Sequence, residues 1–188
     1  MNRKDIEAKL KDLGIANYTV LDDGSVDVDG TVDISFKNLE EIPVRFHSVK
    51  GDFNCSNNRL TSLAGAPGSV GVSFFCHGNR LTSLAGGPKT VGKAFLCSDN
   101  HLTTLAGSPQ TINGSFNCAG NKLAALLGAP TLVSGNFDCS NNHLTTLEGI
   151  PEYVQHVLYC TGNNIPGSVI EEFKNACPFL IIGDENKQ

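Results

Sequence analysis

Cysteine is the most reactive residue type in quantity here: the chain has seven, and six of them, Cys55, Cys76, Cys97, Cys118, Cys139 and Cys160, stand 21 residues apart. Thiols in such number can close disulfides or hold a metal. Zinc sites draw their ligands in close pairs such as CxxC or CxxH, and no such pair occurs in this sequence. A residue that recurs once per repeat is carried into one column, where a buried thiol acts as a small apolar filler. Side-by-side residues of parallel strands would also strain a disulfide's torsions. The spacing therefore predicts packed, reduced thiols, with no metal and no cofactor. Cys177, outside the series, is the one candidate for a reactive thiol, with burial in a terminal helix as the alternative.

Other reactive constellations are missing from the chain. It contains no nucleophile elbow, phosphate-binding loop or HExxH motif. Of the histidines His47, His77, His101, His143 and His156, two merely follow the repeat. Asp22-Asp23-Gly24 and Asp27-Val-Asp29-Gly30 have acidic turn chemistry without the spaced ligands and final glutamate of an EF-hand. The protein is expected not to be an enzyme.

The elements that position these residues follow from the period. Three residues after each cysteine stands Asn58, Asn79, Asn100, Asn121, Asn142 or Asn163, and two further on Leu60, Leu81, Leu102, Leu123, Leu144 or Ile165. A second leucine, a glycine, a proline and a branched residue complete each full coil, as in Leu63, Gly65, Pro67 and Val70. Two residues before each cysteine sits Phe53, Phe74, Phe95, Phe116, Phe137 or Leu158. A short fixed period specifies a solenoid. Phenylalanine and cysteine alternate with variable residues, so they face the core of a short strand. Glycine allows a tight bend, and proline forces its predecessor to be extended, which makes the return arm extended too. The asparagines are expected to bond backbone groups where the chain leaves the sheet.

The ends depart from the repeat. Residues 2 to 13 align Ile6, Leu10 and Leu13 on one helical face, ended by Gly14, and Tyr18 to Val28 reads as a hairpin turning at Asp23-Gly24. Val32, Ile34, Leu39, Ile42 and Val49 mark a degenerate first coil lacking the glycine and proline. Ser168-Val-Ile-Glu171 has capping-box spacing for a helix through about Ala176, followed by a strand-like run Phe179 to Ile182 and a disordered tail Asp184 to Gln188. The expected division is an N-terminal cap at 1–30, a solenoid at 31–165 with one degenerate, five complete and one truncated coil, and a C-terminal cap and tail at 166–188. Caps cover the exposed ends of a repeat array.

The net charge of −5 argues against a general nucleic-acid binder. No apolar run is long enough to cross a membrane, and the start lacks a signal peptide's hydrophobic segment. A cytoplasmic protein with no membrane partner is expected.

The wording of the coil, Cys55-Ser-Asn-Asn-Arg-Leu-Thr-Ser-Leu-Ala-Gly-Ala-Pro67, resembles the leucine-rich-repeat family, with phenylalanine and cysteine replacing its two strand leucines. It is similar to short-repeat bacterial effectors and closer still to repeat proteins encoded by bacteriophages. Over residues 28 to 165 the resemblance implies a leucine-rich-repeat solenoid with a parallel concave β-sheet and an extended convex side. It does not imply a function, because sites are grafted onto folds.

Function is therefore sought on the variable outward columns. The first runs Asp52, Ser73, Ala94, Ser115, Asn136, Val157. The second is Asn54, Phe75, Leu96, Asn117, Asp138, Tyr159, and the third Ser56, His77, Ser98, Ala119, Ser140, Thr161. Phe75 beside Leu96, with Ala94 and His77 at their side, forms an apolar patch in a polar surround, a common anchor for a partner. Phe75, His77, Ala94, Leu96, Ser98, Asn117, Asp138 and Tyr159 are the expected protein-binding residues, unless the hairpin or a cap loop folds over them. After the asparagines runs a basic rim of Arg59, Arg80, His101, Lys122 and His143, which either solubilises an exposed turn or faces an acidic partner or phosphate. Leu127, Leu132, Ile150 and Tyr153 on the return side suit weak self-association or ordinary packing.

The expectation is a non-enzymatic protein-binding module, monomeric or weakly dimeric. From the resemblance it extends to a phage-encoded inhibitor of a host bacterial defence protein, acting in the host cytoplasm. A nucleic-acid binder using the basic rim, a structural or virion interaction protein, and an effector fragment lacking its enzyme domain are the alternatives.

Overall fold

The computed structural model describes residues 1–176 and 181–183. Helix α1 (Arg3–Asp12) is followed by β1 (Tyr18–Val20), β2 (Val26–Val28), β3 (Val32–Asp33), β4 (Phe46–Val49), β5 (Phe53–Asn54), β6 (Ser69–Val70), β7 (Phe74–Phe75) and β8 (Thr90–Val91). Then come β9 (Phe95–Leu96), β10 (Thr111–Ile112), β11 (Phe116–Asn117), β12 (Leu132–Val133), β13 (Phe137–Asp138), β14 (Tyr153–Val154), β15 (Val157–Tyr159), α2 (Gly167–Ala176) and β16 (Ile181–Gly183).

From β3 to β15 the odd strands build one face and the even strands the other. One is an eight-stranded parallel sheet in the order β16-β15-β13-β11-β9-β7-β5-β3. Its register places Phe53, Phe74, Phe95, Phe116 and Phe137 side by side. The ladder outlasts the short strands: Cys55 N–H donates to Phe75 C=O at 2.9 Å and Asn57 N–H to His77 C=O at 2.9 Å. The return arm, expected to be merely extended, pairs as well, in a sheet β1-β2-β4-β6-β8 and a separate sheet β10-β12-β14. Once proline holds each arm extended, stacking at the common 21-residue offset brings its backbone groups into pairing distance. The chain is thus a parallel-stranded solenoid of 21-residue coils.

The core is the predicted one, with an addition. All five ladder phenylalanines are fully buried and stack in sequence, with centroids 5.7 Å apart for Phe53–Phe74, 5.0 Å for Phe74–Phe95, 5.4 Å for Phe95–Phe116 and 5.5 Å for Phe116–Phe137. Phe46 stands where later coils have proline, and it meets Phe53 edge-on at 5.2 Å. Val32, Ile34, Ile42 and Val49 of the degenerate coil are buried as expected, and Leu39 packs against them half-buried.

Each asparagine performs the bonding predicted for it. Asn79 Nδ2 donates to the Cys55 and Cys76 carbonyls at 3.0 and 3.1 Å, while its Oδ1 accepts from Leu60 N–H at 2.9 Å. Asn58, Asn100, Asn121, Asn142 and Asn163 repeat the pattern, the last at the end of the series. One side chain so satisfies groups of two coils at a corner where no strand can.

The terminal elements agree with the expected positions within a residue or two. The side chain of Asn2 caps α1 by accepting from Asp5 N–H at 3.0 Å, and Gly14 follows in the left-handed region with φ 73°. The hairpin is antiparallel, with Gly24 at φ 75°. Helix α2 begins at Gly167, so Ser168 sits inside its first turn instead of capping it, and Ile170 and Phe173 pack against the core. Strand β16 lengthens the eight-stranded sheet beside β15. Cys177, Phe179, Leu180 and the tail from Asp184 lie outside the described residues.

Candidate functional site

Cys55, Cys76, Cys97, Cys118 and Cys139 are free thiols with no solvent exposure. Three of them donate S–H to a neighbouring coil's carbonyl: Cys97 to Asn117 at 3.2 Å, Cys118 to Asp138 at 3.3 Å and Cys139 to Tyr159 at 3.3 Å. Burial disfavours the thiolate and pushes Cys55 up to about 12, with Cys76, Cys97, Cys118 and Cys139 raised as well. No group of three or more metal-binding side chains occurs among the described residues.

A pH dependence follows from this burial. A folded thiol pKa above its unfolded value of about 8.5 means that unfolding releases a proton at alkaline pH. Stability is full below that value and falls as pH rises toward the folded value, by about 1.4 kcal/mol per pH unit for each thiol. The protein is expected to lose stability steeply above about pH 9, and Cys97→Ala combined with Cys118→Ala should flatten that limb. Equal alkaline slopes in the parent and the double variant would show that the thiols are not buried.

Two of the three outward columns divide between scaffold and surface in a way that residue types alone did not reveal. In the first, Asp52 Oδ1 accepts from Ser73 N–H at 2.9 Å, Ser73 Oγ from Ala94 N–H at 3.3 Å, and Asn136 Oδ1 from Val157 N–H at 3.1 Å. These side chains brace one coil against the next. In the second, Asn54 Oδ1 accepts from Ser56 N–H at 3.1 Å, Asn117 Oδ1 from Ala119 N–H at 2.9 Å, and Asp138 Oδ1 from Ser140 N–H at 3.0 Å. Asp33 does the same for Ser35, whose hydroxyl and amide hold the carboxyl below its ordinary range. Asn117 and Asp138, expected among the binding residues, are therefore committed to their own turns.

The third column was expected to project outward, but Ser56 and Ser140 are buried. The Ser56 hydroxyl folds back onto Asn54 Oδ1 at 2.7 Å, and the amide of Ser140 is tied to Asp138. Small polar side chains at the sheet's exit serve the turn itself.

Phe75 and Leu96 are what remains. They are directly paired in register, with Asn54 on one side and Asn117 on the other. Neither side chain has an oxygen for the turn bond its neighbours make. Both are half-buried, because adjacent columns shield the base of each side chain. Phe75 meets His77 edge-on at 6.5 Å. Among the described residues, His77 Nδ1 is the one buried side-chain nitrogen or oxygen without a hydrogen-bond partner. The hairpin does not fold over this patch: β2 pairs with β4, extending the opposite sheet. Ala94, Ser98 and Tyr159 are also half-buried on this side.

The basic rim is exposed throughout, at Arg59, Arg80, His101, Lys122 and His143. On the return side, Leu127 and Tyr153 are 56% and 53% exposed. Leu132 pairs in register with Tyr153, while Ile150 is half-buried, with part of its side chain against the core.

The fold and its surface define a repeat solenoid whose eight-stranded face displays the apolar Phe75–Leu96 pair among small and mostly self-bonded polar side chains, with Val157 and Tyr159 at its β15 end. Comparison with known proteins finds no matching family model and no matching curated protein. No helix among the described residues is long and apolar enough to cross a membrane.

Proposed function

We propose that the chain is a non-enzymatic module of leucine-rich-repeat type, capped at both ends, that binds one protein partner through the outward face of the eight-stranded sheet. The observation that supports this is the Phe75–Leu96 pair. Two successive coils forgo a turn-stabilising oxygen for apolar surface, and the core gains nothing from it. A patch of this kind, rimmed by polar groups, is suited to an anchor position. The resemblance to phage-encoded repeats extends the proposal: the partner is a host bacterial protein of antiviral defence, which the module blocks inside the cell. The test is affinity capture from bacterial lysate with the tagged protein and with a Phe75→Ala/Leu96→Ala variant, prey being identified by mass spectrometry. One prey retained by the parent and lost from the variant is the expected result. Identical prey in both would end the assignment of this face.

A further inference from the structure

The turn leaving the eight-stranded sheet passes through the left-handed region at one position in every coil. φ is 54° at Asn57, 65° at Gly78, 54° at Asp99, 65° at Gly120, 54° at Asn141 and 65° at Gly162. These are the residue types that tolerate such a backbone. They also alternate for a reason of space, since a Cβ at Gly78 or Gly120 would stand 2.5 Å from Asn57 Oδ1 or Asp99 Oδ1.

The first coil breaks the rule. Its residue at this position is Phe36, at φ 53° and with 78% of its surface exposed. A bulky aromatic in the left-handed region is a genuine outlier with a conformational cost, and an exposed one recovers none of it by packing. Phe36 lines an open groove of about 500 Å³ together with Asn38, Asn57, Arg59, Arg80 and His101. That volume is within the range of small-molecule sites.

The charges in this groove are unanswered. The ion pairs among the described residues join Arg3 to Glu7, Arg45 to Asp23, Lys50 to Asp29 and Lys174 to Glu171, none of them on the rim. The one acidic residue in the turn column, Asp99, lies over Gly120 on the far side of His101's coil. Coils follow one another at about 4.8 Å, so Arg59, Arg80 and His101 span about 10 Å in line, and Phe36 stands one coil before Arg59 in the adjoining turn column.

An exposed aromatic face beside two guanidiniums and an imidazole makes the chemistry that recognises a base carrying phosphates. We propose that this groove binds a nucleotide, with its base stacked on Phe36 and its phosphates along Arg59, Arg80 and His101. The net charge of −5 opposes long nucleic acids, which leaves two sources of this chemistry: a mononucleotide, or the end of a short single strand.

The experiment titrates the full chain with fluorescently labelled ATP and, separately, with a labelled single-stranded tetranucleotide. Unlabelled tripolyphosphate and a tetraglutamate peptide serve as competitors. Saturable, salt-sensitive binding of at least one probe is expected, and the stronger of the two identifies the source. Phe36→Asn installs a residue that other coils use at this position, so its melting temperature should hold or rise while binding weakens at least about tenfold, in keeping with the worth of a base–aromatic stack. Arg80→Ala should weaken binding comparably. The proposal is overturned by no saturation of either probe at millimolar concentration, by unchanged affinity in Phe36→Asn, or by tripolyphosphate or tetraglutamate competing as well as unlabelled nucleotide.

Discussion

Phe95→Ala is expected to destabilise the fold by about 3–5 kcal/mol, the range for truncating a buried phenylalanine. The residue has no exposure and is held between Phe74 at 5.0 Å and Phe116 at 5.4 Å. Its loss opens a void that neighbouring coils cannot close, because each ring's position is set by a parallel ladder on both sides. For a chain of this size about 4 kcal/mol lowers the melting temperature by roughly 8–16 °C. In a repeat array the damage is local first, since each coil is stabilised by its neighbours. Amide hydrogen exchange should therefore accelerate most in β7, β9 and β11. A melting shift of only a degree or two would place Phe95 outside the core and invalidate the register.

Asn100→Ala should cost a comparable amount by different physics. Asn100 is 4% exposed; its amide donates to the carbonyls of Cys76 at 3.0 Å, Cys97 at 3.2 Å and Ser98 at 3.1 Å, and its Oδ1 accepts from Leu81 N–H at 3.0 Å. Alanine leaves the buried Leu81 N–H without its acceptor and strips one of two donors from each carbonyl, since Cys76 C=O keeps Asn79 Nδ2, Cys97 C=O keeps Asn121 Nδ2 and Ser98 C=O keeps Gly78 N–H. The unmet Leu81 N–H costs about 1–3 kcal/mol and each lost hydrogen bond about 0.5–1.5 kcal/mol, so a total of about 3 kcal/mol or more is expected by chemical denaturation. Asn100→Asp should be no rescue near neutral pH, because a carboxylate has no hydrogen to offer the three carbonyls. Wild-type stability in either variant would remove the asparagine ladder from the account of the fold.

Much of this architecture was legible in the residues because a repeat aligns itself. Phe53 to Phe137, the cysteines and Asn58 to Asn163 recur at one period, and a position that never varies across coils must serve what coils share, which is core and corner. What escaped was the part that depends on backbone pairing and side-chain direction. Proline shows the return arm to be extended and no more, since pairing between Val70 and Val91 is a property of stacked coils and not of one arm. Ser56 and Ser140 were placed outward by alternation, and the turn bonds to Asn54 and Asp138 drew them in. Phe36 was missed because its coil has no cysteine to count from. Aligning Ile34 with Cys55 would have exposed it, as a phenylalanine where every other coil has glycine, asparagine or aspartate.

The site was less legible than the fold. Phe75 and Leu96 stood out as apolar residues in a polar column, and the structure adds that their polar neighbours are engaged in the scaffold. Arg59, Arg80 and His101 were visible as a stripe, but their grouping with Phe36 in one groove needed the turn geometry.

The claim that this face binds a protein through Phe75 is tested most directly by measuring the affinity of the captured partner for Phe75→Ala alongside that variant's stability. Loss of an aromatic anchor typically costs about 2 kcal/mol or more, roughly a 30-fold weakening. Truncating a half-buried surface ring should cost folding only about 1 kcal/mol or less. The account predicts this separation, with binding lost and the fold kept. A Phe75→Ala protein that melts early yet retains full affinity for its partner would contradict it.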